Sequence, residues 1–248
     1  MIQKLLDKLG YRVYNVKKEA ERFPGDFEQR HIAIYKKVAP YTMTSRERIF
    51  SAIEAAAFIS KHKIEGDIVE CGVWKGGSTM AMLETLKQAG DTTRNVYLYD
   101  TFEGMPPPTE DDKTTYNKSA EELLNADADK EKNLVWAYSS IEEVKSNIAL
   151  SGYNPNLLHF VKGKVEDTIP ATLPGKIALL RLDTDWYEST KHELEYLYPL
   201  LVKGGVLIID DYGHWQGAKK AVDEYIESNK IPILLNRIDD TGRIAVKP

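Results

Sequence analysis

The chain has 248 residues, 42% hydrophobic and 29% charged, enough for one large α/β domain and marginal for two. A formal net charge of −5 gives no bulk attraction to nucleic acid or anionic lipid, and a single cysteine, Cys71, excludes an intrachain disulfide framework and a cysteine-built zinc site. No run nears the roughly 18 apolar residues that span a bilayer, and MIQKLLDKLGYRVYNVKKEAERF lacks the apolar core and cleavage site of a signal peptide; a cytoplasmic protein without nucleic-acid or membrane partners is expected.

Residues 1–45 mix short amphipathic patches with charges, and AERFPGDFEQRH holds a Pro-Gly turn signal. This segment reads as an appendage, either a lid or a subunit contact, on a domain filling 46–248. In SRERIFSAIEAAAFISKHK, Ile49, Ile53, Ala56 and Ala57 recur at helical spacing behind Ser45, a suitable N-cap, so the spacing predicts a helix. Five short apolar segments follow: DIVECGV, NVYLYD, LLHFVKG, KIALLRLD and GGVLIIDD. Most are separated by helix-compatible stretches such as STMAMLETLKQAG and STKHELEYLYPLLVKGG. Strands apolar on both faces that alternate with helices predict an α/β fold, a doubly wound, mostly parallel, Rossmann-like sheet. IPILLNRI and GRIAVKP, with DDTG as the turn between them, predict a closing antiparallel hairpin. Residues 101–133, with three consecutive prolines and many acids, interrupt the rhythm. They read either as a solvated surface insertion or, because they follow a strand's carboxyl end where open α/β sheets bind ligands, as a lid.

DIVECGVWKGGST runs from a strand through Gly72, Gly76 and Gly77 into a helix. Glycines there allow a tight turn and let a ligand approach backbone amides, although structural punctuation explains any one of them equally well. The pattern is not the G-x-G-x-x-G of a dinucleotide site. Glu70 precedes the first glycine instead, which suits a cationic headgroup. The next strand ends in Asp100, an acid able to accept two hydrogen bonds from a ribose diol or to serve as a simple cap.

IALLRLDTDWYEST and GGVLIIDDYGHW supply Asp183, Asp185, Asp210 and Asp211 at the carboxyl ends of two strands expected to be adjacent and parallel. At a strand spacing of about 4.8 Å, such carboxylates converge on one point and repel unless a cation sits among them or some are protonated. An all-oxygen donor set favours Mg²⁺, Mn²⁺ or Ca²⁺. The bland alternative makes Asp210 and Asp211 helix caps and Asp183 a turn residue.

The order of these pieces resembles class I S-adenosylmethionine-dependent methyltransferases. YTMTSRER, VECGVWKGGS, YDTFEGMPPP, VKGKVEDTIP, RLDTDWYEST and LIIDDYGHWQGAKKAVDEY narrow the resemblance to the macrocin O-methyltransferase family, over residues 41 to about 225. Members of that family methylate sugar hydroxyls in macrolide and aminocoumarin antibiotic pathways. The resemblance implies S-adenosylmethionine and Mg²⁺ as cofactors, a small-molecule acceptor with a sugar hydroxyl, and N-terminal segments used in homo-oligomer contacts. By it, Glu70, Gly72 and Trp74 line the methionine end of the cofactor and Asp100 takes the ribose. Thr42 and Ser45 reach over it, and Val165 and Glu166 sit by the adenine. Asp183, Asp210 and Asp211 hold Mg²⁺, with Asp183 also the proton acceptor.

The chemistry agrees in outline. A sugar hydroxyl is a poor nucleophile at neutral pH, and a divalent cation lowers its pKa and fixes its position. A carboxylate that ligates a metal is a weakened base, so His214 stands second to Asp183 for the proton, with Asp185 a free carboxylate nearby. Two other functions remain on the same fold: a nicotinamide-dependent oxidoreductase, disfavoured by the missing G-x-G-x-x-G, and a non-catalytic scaffold.

Overall fold

The computed structural model describes residues 6, 9–11, 22–127 and 129–248. The rest of the expected 1–45 appendage lies outside the described residues. The first helices described in full are α1 (Gln29–Val38) and α2 (Arg46–Lys61). Ser45 caps α2 as its residue type predicts, its Oγ accepting from Arg48 N at 3.1 Å. There follow β1 (Asp67–Cys71), α3 (Gly77–Gln88), β2 (Val96–Asp100), α4 (Ala120–Asn125), α5 (Ile141–Ala149), β3 (Leu158–Lys162) and α6 (Val165–Thr168). The chain closes with β4 (Ile177–Leu182), α7 (Tyr187–Leu197), β5 (Leu201–Ile209), α8 (Gln216–Ser228), β6 (Asn236–Arg237) and β7 (Arg243–Val246).

The seven strands form one sheet in the order β3-β2-β1-β4-β5-β7-β6, parallel from β3 to β5 and antiparallel at β7 and β6. Alternate side chains of each strand serve opposite faces. Ile68, Leu98 and Ile208 meet α1, α2, α3 and α5 through residues such as Ile53, Leu83 and Ile148. Val69, Tyr99, Leu180 and Ile209 meet α7 and α8 through Leu194, Leu197 and Val222. This two-sided burial is why the strands read as near-continuous apolar runs. The chain leaves β1 in one direction and returns to β4 beside it, placing the switch point, and with it the crevice, between the tips of β1 and β4.

The closing hairpin is present, but its first strand is only Asn236–Arg237. Ile231, Ile233 and Leu235 pack against the α7–α8 core without joining a ladder, while Leu234 is 74% exposed. The insertion is more than a solvated loop. It carries α4, and Ala120 and Leu124 build a third apolar cluster with Trp186, Trp215 and Ala218, next to the turns that carry the aspartates. No described helix is long and apolar enough to cross a membrane.

Candidate active site

The turn after β1 is built around Gly72, whose φ of +78° suits glycine. A β-carbon there would overlap the Asp183 carbonyl, so only glycine lets the β1 and β4 tips approach closely enough for Asp183 N to donate to Cys71 O at 2.9 Å. Asp100, at the tip of β2, organises the same turn. Its Oδ2 accepts from Val73 N at 2.7 Å and Trp74 N at 3.1 Å, and its Oδ1 from Phe102 N at 2.7 Å. Burial raises the Asp100 pKa, against the pull of those amides.

A buried ion-pair system lies beneath the cleft. Arg181 Nη1 donates to Glu70 Oε1 at 2.7 Å; its Nη2 donates to Asp210 Oδ1 at 2.8 Å and lies 2.7 Å from Asp183 Oδ2. Burial disfavours the Arg181 charge, but the three carboxylates outweigh it and raise its pKa well above the ordinary value. Arg48, in the first turn of α2, pairs through Nη1 with Asp210 Oδ2 and through Nε, at 3.0 Å, with Asp239 Oδ2. Asp239 in turn accepts from Ser45 Oγ at 2.5 Å and, through Oδ1, from Gly242 N at 2.7 Å. Burial pushes the Asp239 carboxyl up, but these hydrogen bonds and the Arg48 charge prevail and hold it at about 2. The last hairpin is thereby tied to the α2 N-terminus directly below the aspartates.

Above this base, Asp183, Asp185 and Asp211 each bring one carboxylate oxygen within 4.8 Å of the others. Burial, then neighbouring acids, raises all three: Asp185 to about 7, Asp183 and Asp211 well above their ordinary values. Asp211 Oδ2 is buried without a hydrogen-bond partner among the described residues. An orphaned anionic oxygen amid like charges is the environment that a hard cation satisfies.

A cleft of about 390 Å³ opens over these groups. Of the residues singled out from sequence, Thr42, Gly72, Trp74, Asp100, Val165 and Glu166 line it from the β1–β2 side. Asp183, Asp210, Asp211 and His214 line it from the β4–β5 side. Glu70 and Ser45 are placed differently. Glu70 is buried below the cleft, one oxygen taken by Arg181 and the other by Thr79 Oγ1, because its side chain follows Ile68 onto the face covered by α2 and α3. Ser45 is occupied by its cap and by Asp239. Asp210 faces Arg181 and Arg48 rather than the other three aspartates. The ionic base has little local signature in the sequence. Arg181 carried one available signal, a lone charge two positions before Asp183 in an apolar strand, as Glu70 is a lone charge two positions before Gly72. Arg48 and Asp239 carried none.

The model of the family described as macrocin-O-methyltransferase (TylF) matches residues 3–246. A tetracenomycin-C 4'-O-methyltransferase of Streptomyces olivaceus, acting on a dimethoxy-rhamnosyl derivative by its name, is 33% identical over 98% of this chain and 89% of its own. The demethyldecarbamoylnovobiocin O-methyltransferase of Streptomyces niveus is 33% identical over 82% of this chain and 74% of its own. The solved O-methyltransferase NovP superposes with a TM-score of 0.71 at 32% identity, covering 84% of this chain and 82% of that one. The sheet order and cleft are those of a class I O-methyltransferase. Within that class, the chain belongs to the macrocin-O-methyltransferase family.

Proposed function

We propose that the protein transfers the methyl group of S-adenosylmethionine to a hydroxyl on the sugar of a glycosylated small molecule, with Mg²⁺ at the aspartate cluster. The observation that carries this reading is the convergence, in one cleft, of the Gly72–Asp100 turn with the Asp183, Asp185 and Asp211 oxygens. The Streptomyces olivaceus relative is named for a rhamnosylated acceptor. The cleft mouth suits an apolar aglycone: Met43 and Leu134 line it while remaining 46% and 63% exposed, joined by Met105 and Val135.

S-adenosylmethionine would bring an electrophilic methyl on a sulfonium, and the cation would bring Lewis acidity at the hydroxyl. Asp100 holds the amides of the glycine turn in place through three hydrogen bonds, which leaves one lone pair, on Oδ1, for a ribose hydroxyl. Asp183 and Asp211 would hold the cation, with Asp211 Oδ2 supplying the unpartnered oxygen. Asp210 serves as the anchor between Arg181 and Arg48. Among the described residues no ion pair reaches Asp185, the third carboxylate of the cluster, which leaves it free to receive the hydroxyl proton. Asp183 is the poorer acceptor because Arg181 holds its Oδ2. His214, its pKa lowered by burial and by Arg48, borders the same space. Both relatives named above are O-methyltransferases, which sets aside the oxidoreductase and scaffold alternatives. Calorimetric titration with S-adenosylmethionine, followed by transfer of its labelled methyl to glycoside acceptors, tests the proposal; a folded sample that binds no cofactor contradicts it.

A further inference from the structure

Both helices that follow the acid-bearing strands lack a side-chain cap of their own, since α7 begins after Trp186 and α8 after Trp215. Two consecutive residues of the insertion supply what is missing. Asp112, 0% exposed, accepts at Oδ1 from Tyr187 N, the first amide of α7, at 2.8 Å. The Lys113 carbonyl accepts from Gln216 N, the first amide of α8, at 2.8 Å. Asp112 Oδ2 closes the turn of its own loop by accepting from Thr109 N at 2.6 Å and Thr109 Oγ1 at 2.9 Å. Its carbonyl receives Ala120 N, the first amide of α4, at 2.9 Å. The approach to α8 is so close that a β-carbon on Gly217 would overlap Asp112 Oδ1. An anionic carboxylate at the N-terminus of α7 also suits the helix dipole.

The turns pinned by these caps are the ones that carry the chemistry. Asp183 to Trp186 join β4 to α7, with Asp185 in the left-handed region at φ +67°, a conformation that needs outside support. Asp210 to Trp215 join β5 to α8. We infer that Asp112 is a positioning residue for the aspartate cluster: the insertion caps both helices at once and so sets where Asp185 and Asp211 stand relative to each other. Its burial and its three acceptor contacts leave it no direct role toward an acceptor.

This inference rests on the methyltransferase reading for its kinetic readout and on amide exchange for an independent one. Asp112→Ala is expected to lower kcat by about 10- to 100-fold, the cost of small misplacement at a reacting centre. S-adenosylmethionine affinity by calorimetry should stay within about threefold, and hydrogen exchange should quicken over 184–188 but not over β1 and β2. Asp112→Asn, whose amide oxygen still accepts from Tyr187 N but whose NH2 then faces the Thr109 N–H, should recover part of kcat. Gly217→Ala, which presses on Asp112 from α8, should reproduce the loss and serves if the alanine variant does not fold. Unchanged kcat in Asp112→Ala overturns the inference, as does a loss of kcat accompanied by equal loss of cofactor affinity and faster exchange throughout the sheet. Should the wild type methylate no glycoside, the functional reading fails, and exchange over 184–188 decides the positioning role by itself: acceleration supports it and wild-type protection overturns it.

Discussion

Arg181 and Glu70 are register partners across the parallel β1–β4 ladder, and their side chains meet in a buried ion pair at 2.7 Å. The same guanidinium reaches Asp183 and Asp210 at the next strand tips, so one cation in the sheet interior compensates acids of three strands. Charges are costly in such a place unless paired, and removing one partner leaves the others uncompensated.

Arg181→Met is therefore expected to destabilise the fold by about 3–5 kcal/mol, measured by urea unfolding. Arg181→Lys should recover only part of this, because an ammonium cannot fork to Glu70 and Asp210 together. Wild-type stability in Arg181→Met would mean that the acids neutralise one another by protonation.

Asp100→Ala removes the acceptor shared by Val73, Trp74 and Phe102 amides. Loss of charge-assisted hydrogen bonds of about 1.5–3 kcal/mol should loosen the glycine turn, lower the thermal midpoint by several degrees and weaken S-adenosylmethionine binding at least about tenfold by calorimetry.

Asp239 gives a pH signature. Its folded carboxyl, held at about 2, lies below the ordinary value near 3.9, so the stability it contributes is present above about pH 4 and is lost as pH falls through 2. With allowance for solvent screening this amounts to about 1–2 kcal/mol. Asp239→Asn should be less stable than wild type by that amount at pH 7, and the two unfolding curves should converge near pH 2. A constant difference across that range would place the effect in packing instead.

At the cleft mouth, Met43→Ser and Leu134→Ser should each raise KM several-fold for a glycoside with an apolar aglycone and leave S-adenosylmethionine affinity unchanged. Steady-state kinetics with the matching free sugar, whose KM should not respond, separates an aglycone contact from a general disturbance.

Much of the fold was legible because it is written in local pattern. Buried parallel strands are apolar on both faces, Ser45 marks a helix start, and DDTG marks a turn. The acids at the strand tips were legible for the same reason, since each ends an apolar run. Their division of labour was not. Whether Asp210 or Asp185 joins Asp183 and Asp211 depends on Arg48, 162 positions away from Asp210, and on Arg181, which local pattern assigns only to a strand. Glu70 looked like a ligand for a cationic headgroup, yet strand pairing gives it a cation of the protein's own. Asp112 is silent within TEDD, because a cap supplied from 75 residues away has no local signature.

The central claim is tested most directly by measuring labelled methyl transfer from S-adenosylmethionine to a glycoside before and after exhaustive chelation. Turnover should vanish with chelator, return with added Mg²⁺, and fail to return in Asp211→Asn while cofactor binding persists. Undiminished turnover in excess chelator would contradict a cation at Asp183 and Asp211.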